Sequence, residues 1–183
     1  MNKINILQVI FKHYKTLSDG RGTILIVDII IHFISPTLIS VILCLTYGIM
    51  KASIASVFVN FGAITTALLM SAVIMIYDQK QKTTFKIADI LENQKERSHL
   101  VTLENNKTVY TQLCHNVSYA ILTSVILVIA SVVISFFPDG NLLNKWYFHY
   151  PSYIVSFIAY TAFFATVITF LMVIKRFSSV LDS

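Results

Sequence analysis

This chain is defined by what is missing between its charges. Four stretches, 29–50, 52–77, 117–137 and 153–174, hold almost no ionisable side chains. Cysteine, glycine, proline and tryptophan are scarce as well, at two, five, three and one residues. Each scarcity excludes something. Cys44 belongs near the far end of the first stretch and Cys114 at the near end of the third, so a membrane thickness separates them and no internal disulfide forms. No glycine-rich phosphate loop, nucleophile motif or Cys-x-x-Cys redox pair occurs. No Cys/His cluster has zinc-ligand spacing. His32 and His115 both fall in one half of the membrane, but the other three histidines read as tail or loop residues, so no bis-histidine haem site is expected. The reading is therefore of a protein that is not an enzyme and carries no cofactor or metal.

What is present is length and oiliness. Hydrophobic residues make up 56% of 183, and the mean hydropathy is +0.72. A helix rises ~1.5 Å per residue and a hydrocarbon core is ~30 Å thick, so about 20 apolar residues cross it. Each stretch meets that length. The expected fold is all-α, an integral membrane bundle of four transmembrane helices with a small cytoplasmic extension between the second and third. It divides into an amphipathic N-terminal segment (1–22), a first transmembrane hairpin (23–77), a cytoplasmic segment (78–116), a second hairpin (117–174) and a tail (175–183). Segment 78–116 is too small for a soluble enzyme.

The net charge of +5 follows from topology. With four crossings, both termini and segment 78–116 share one side. That side carries twelve of the fourteen Lys and Arg residues, leaving only Lys51 and Lys145 opposite. Positive residues concentrate on the cytoplasmic face, so the chain should be N-in and C-in. This bias accounts for the basic charge without direct nucleic-acid binding. In the cytoplasmic segment, Lys86, Asp89, Glu92, Lys95, Glu96 and Arg97 mix both signs. Such a surface suits docking of a protein partner, though an ordinary solvated helix face has the same composition.

Residues 2–17 read as an amphipathic helix, with Ile4, Leu7, Ile10, Phe11 and Tyr14 on one side and Lys3, Gln8, Lys12 and Lys15 on the other. It lies either in the membrane interface or on the ends of its own bundle. The run Ser18-Asp19-Gly20-Arg21-Gly22 should break it. There is no cleavable signal pattern at the N-terminus. Pro36 should kink the first span near His32 or Ser35. A short turn from Gly48 to Ala52 makes spans 1 and 2 a hairpin. Residues 97–107 read as a small hairpin or an extended loop, with a turn at Asn105-Asn106. Pro138-Asp139-Gly140 ends span 3, and the loop 138–152 brings Trp146, Tyr147, Phe148, His149 and Tyr150 as an aromatic belt.

Two sets of polar residues lie within the spans. Asp28 and His32 are four apart on one helix face, and ionisable groups at such positions are costly. They form either a proton-responsive pair or a helix anchor that orients a histidine. Asn60 lies on a stripe with Ser53, Ser56, Ala63, Ala67 and Ser71, flanked by Gly62 and Thr66. Span 3 carries Ala120, Ser124, Ser131 and Ser135. Small and hydroxylated residues let membrane helices approach and bond. These faces serve helix packing, contacts between protomers, or a polar pathway.

His13-Tyr14-Lys15-Thr16-Leu17-Ser18-Asp19-Gly20-Arg21-Gly22, followed by Asp28 and an apolar helix with a central Pro36, resembles the opening of small bacterial four-span membrane proteins. Leu113-Cys114-His115-Asn116-Val117-Ser118-Tyr119-Ala120-Ile121-Leu122 and Met172-Val173-Ile174-Lys175-Arg176-Phe177 are similar to the same group. That group resembles the membrane components of anti-phage defence loci, such as the Kiwa membrane subunit or membrane effectors paired with retron-like sensors. The resemblance implies a homo-oligomer in the bacterial inner membrane with a cytoplasmic protein partner, sensing or depolarising the membrane. The alternative is a stand-alone ion channel or transporter using the polar stripes.

Overall fold

The structure is a computed structural model describing residues 6–16, 26–92, 99–137 and 146–181. The expected breaks at 18–22 and at Pro138-Asp139-Gly140, and the docking residues Lys95, Glu96 and Arg97, lie outside the described residues. Apart from short connections, the described chain is helical: α1 (Ile6–Thr16), α2 (Ile26–Ile29), a π-helical turn (Ile30–Ile34), α3 (Ser35–Tyr47), α4 (Ala52–Glu92), α5 (Leu100–Ser135) and α6 (Trp146–Leu181). Among the described residues, four helical stretches are long and apolar enough to cross a membrane: Val27–Tyr47, Ala52–Glu92, Leu100–Ser135 and Tyr150–Ser178. The described residues are thus all-helical in class, and their length and composition suggest a multi-pass membrane protein.

Helix α5 is the centre of the bundle. Half of its most apolar stretch is buried, against 22% for α4. The helices that pack are α4 on α5, α5 on α6, α3 on α6 and α1 on α5. Helices α3 and α4, though joined by a short turn, are not a packed pair. The hairpin expected from the sequence is therefore one of connection only, because the small residues of α4 are used against α5. Gly62 allows this approach: a Cβ there would meet Val128 Cγ2 at 2.6 Å and Ser124 O at 3.2 Å. Beside it, the Thr66 and Ser124 hydroxyls bond at 2.7 Å. Hydroxyls also join α6 to α5, where Thr166 donates to Thr123 at 2.9 Å, and the turn after α3 to α6, where Met50 N–H donates to Ser156 Oγ at 3.0 Å. In hydrocarbon such bonds help fix which faces meet.

Two apolar clusters fill the bundle. At the end holding the α3–α4 turn, Cys44, Phe58, Leu127, Ile134 and Tyr160 pack together, with Phe58 stacked on Phe163 at 4.5 Å. At the other end, Leu69, Ile76, Leu113, Val117 and Val173 join α4, α5 and α6. The turn between α3 and α4 is closed by Gly48 at φ +70°, whose N–H donates to Cys44 O at 3.0 Å. Glycine reaches positive φ without the steric cost a side chain would meet.

Three local expectations are corrected. Residues 100–107 are neither hairpin nor loop but the first turns of α5, with Asn105 and Asn106 inside the helix. Asparagine favours turns only when packing does not decide, and here α5 lies against α4. Thr83 and Ile87 are buried on α4 well beyond the first ~20 residues that a bilayer requires, so the two helices stay packed past their apolar parts. Residues 146–150 are not loop either, since α6 begins at Trp146. The stripe Ser53, Ser56, Asn60, Ala63, Ala67 and Ser71 faces outward from the bundle. The packing face of α4 is the neighbouring line through Ala55, Phe58, Gly62, Thr65 and Leu69.

Gly62→Leu should force α4 away from α5 and cost about 1–3 kcal/mol, a usual range for overpacking. Thermal unfolding of the purified protein in detergent should show a clear drop for this variant. Ala63→Leu, one residue along on the exposed face, should leave the transition unchanged.

Candidate functional site

Polar groups gather at one end of the bundle, where α1, the start of α2, the N-terminal half of α5 and the end of α6 meet. His13 on α1 is 1% exposed and stacks flat on Tyr119 of α5, ring centroids 4.0 Å apart and planes 3° from parallel. Its Nδ1 lies 2.9 Å from the side-chain oxygen of Asn116, which is fully buried. Thr16 Oγ1 lies 2.6 Å from that oxygen and 2.7 Å from His13 O. The threonine has one proton for these two acceptors. His13 Nδ1–H donates to the amide oxygen, and the Thr16 hydroxyl donates to one of its two acceptors.

Arg176 of α6 completes the latch. Its Nη2 donates to Thr16 O at 2.8 Å and its Nη1 to Gln112 Oε1 at 3.1 Å. The carbonyls of the last helical turn lack partners within the helix and carry partial negative charge. Arg176 supplies both a donor and a positive charge there. One edge of α1 is thus pinned by polar bonds, while Ile6, Leu7 and Phe11 stay 51–66% exposed. Of the two placements expected for this helix, packing on the bundle is the one seen, with an apolar edge left outward.

Asp28 and His32 stand beside this latch, but not as a carboxylate–imidazole pair. His32 Nδ1 donates to the backbone oxygen of Asp28 at 3.0 Å. His32 sits within the π turn, whose following Ser35 N–H bonds back to Ile30 O, a five-residue step. Pro36, just after it, offers no N–H and crowds the carbonyl four residues earlier, so the helix widens instead of simply kinking. The His32 and His13 rings are 5.9 Å apart. Their Nε2 atoms, with Asn116 Nδ2, are buried without a hydrogen-bond partner among the described residues. The Asp28, His32, Lys175 and Arg176 side chains line a cavity of about 510 Å³ between the first span and α6.

The sequence candidates fall in different places. Ser124 and Ser131 are fully buried in the bundle. Ser124 bonds Thr66 across the α4–α5 contact, and Ser131 Oγ has no partner among the described residues. Asn60 and Ser71 face outward; Ser71 bonds only back to Ala67 O, at 3.2 Å. Lys86, Asp89 and Glu92 are exposed near the end of α4. His13, Thr16 and Asn116 were not singled out from the sequence. His13 read as a tail residue, yet it lies beside His32. No group of three His, Cys, Asp or Glu side chains among the described residues is placed to hold a metal ion. No family model, curated protein or solved structure matches this chain.

Burial holds the His13 imidazole well below its ordinary value, at about 4; the Asn116 bond raises it, and the neighbouring His32 and Arg176 charges lower it again. Docked His13 is therefore neutral at pH 7, whereas in a released α1 it would titrate near 6.5. Docking is fully supported above pH 6.5 and loses that support as pH falls through 6.5 toward 4, by about 3 kcal/mol in total. Amide exchange of α1, corrected for its intrinsic pH dependence, should quicken across that window. Asn116→Leu should quicken it at every pH, since two bonds worth about 0.5–1.5 kcal/mol each are lost.

Proposed function

We propose that the protein is a non-enzymatic, homo-oligomeric protein of the bacterial inner membrane that couples the state of the membrane to a cytoplasmic protein partner. The setting is phage defence, in line with the resemblance of its short sequence words. One observation carries the coupling. The latched helix α1, with its apolar edge outward, sits at the end of the bundle from which α4 and α5 continue as a packed pair beyond the apolar spans. A disturbance in the headgroup layer acts on α1, and the α5 residues that hold α1 belong to the helix that forms half of the projecting pair.

The charge bias supports a cytoplasmic placement of this end, where Lys86, Asp89 and Glu92 are exposed. Homo-oligomerisation is supported by Asn60. An amide exposed at hydrocarbon depth has no water to bond, and a second copy supplies both a donor and an acceptor. The outward stripe from Ser53 to Ser71 also favours a second reading, an ion pathway formed between copies.

Purification of the tagged full-length protein in mild detergent, with its mass and co-purifying proteins determined together, tests the proposal. The expected result is a homo-oligomer carrying a stoichiometric soluble partner. The triple reversal Lys86→Glu, Asp89→Lys, Glu92→Lys should release the partner without changing oligomer size. A monomer with no partner would sink the reading. An oligomer alone, whose conductance is lost in Asn60→Leu at unchanged size, would establish the pathway reading instead.

A further inference from the structure

The cavity beside the latch combines features that a soluble ligand would not need. Its polar end holds Lys175, Arg176, Asp28 and His32, and its wall is aliphatic, made by Ile31, Ile168, Leu171 and Met172. Two of the wall residues are strongly exposed on the outer surface of the helices, Ile31 at 42% and Leu171 at 59%. On a membrane bundle these positions meet lipid chains, so the cavity opens sideways into the bilayer as well as toward the headgroup layer. The charges are two cations against one carboxylate, with His32 held by the backbone of Asp28. Arg176 is already oriented by Thr16 O and Gln112 Oε1. A guanidinium fixed in place binds a phosphate without first losing its side-chain freedom.

We propose that this cavity is a binding site for one anionic phospholipid. Lys175 and Arg176 take the phosphate, and the first methylenes of an acyl chain lie along Ile31, Ile168, Leu171 and Met172. The Asp28 carboxylate accepts from a hydroxyl of the head group, which makes phosphatidylglycerol the fitting probe. His32 Nε2, buried and without a partner among the described residues, stands at the same polar end. Since Arg176 holds both α1 and the lipid phosphate, occupancy of the site bears directly on the latch. The proposal rests on the membrane-spanning fold and on no partner or defence role, so it stands or falls separately from them.

Native mass spectrometry of the full-length protein from detergent, with phosphatidylglycerol, phosphatidylethanolamine or phosphatidylcholine added, decides it. Phosphatidylglycerol should be retained in preference to the other two, and millimolar inorganic phosphate should not displace it. Lys175→Gln should weaken its retention about fivefold, the effect of one basic residue at a membrane surface. Ile168→Trp, which fills the cavity, should weaken it similarly, whereas Lys51→Gln at the opposite end should behave as wild type. If Ile168→Trp fails to fold, the Lys175→Gln and Lys51→Gln comparison is decisive alone. Equal retention of all three lipids, no loss in Lys175→Gln, or displacement by inorganic phosphate would overturn the proposal.

Discussion

A hydrocarbon solvent neither bonds a polar group nor drives two oily helices together, and the architecture depends on this constraint. Helices in such a medium are held by close approach and by the few bonds their side chains make to each other. Gly62 against α5, Thr66 with Ser124, and Thr166 with Thr123 are the points where both occur. They place α5 in the middle, with α4 on one flank and α6 on another. The large aliphatic residues follow, filling the two clusters on either side of those contacts. Most of the remaining oily surface faces outward, which would be a fault in water and is the normal condition in a bilayer.

The latch at the polar end obeys the same constraint: burying a histidine, an asparagine and a threonine is costly unless they bond one another. His13, Thr16 and Asn116 do so, and Arg176 ties the last turn of α1 to α6. Tyr119 covers the imidazole with its ring face. The result is a helix fastened along one narrow polar edge while its apolar edge stays open. A purely apolar docking would bury Leu7 and Phe11 instead and leave no open apolar edge.

The four spans were legible in the sequence because runs of about 20 apolar residues have one physical meaning. The neighbours of each span were not, because hydropathy carries no lateral information. Of the three roles open to the stripe through Asn60, packing within the bundle falls to the face one step round, at Gly62 and Thr66, which meets α5. A glycine matters here only when the opposing backbone is known. Residues 100–107 looked like turn because of Asn105-Asn106, and tertiary packing overrode that weak local preference. The site was the least legible part. Asp28 and His32 stood out because ionisable groups in a span are rare. Their neighbour His13 is more than a hundred residues from its bonding partner Asn116, and no local pattern connects them. The one available signal was the density of bonding side chains, His13, Tyr14 and Thr16, at the end of a helix otherwise described by its apolar periodicity.

The π turn at Ile30–Ile34 has a consequence for how the first span directs a side chain. A π turn is an α-helix with one surplus residue stored in it. Shifting that surplus by one position along the chain rotates the residue it passes by about 100° around the axis, since an α-helix has 3.6 residues per turn. The helix stays continuous throughout, and only a single hydrogen bond changes register at each step. His32 lies inside this stored turn. With Pro36 fixing where the surplus residue sits, the stored turn sets the direction in which His32 leaves the first span beside the cavity.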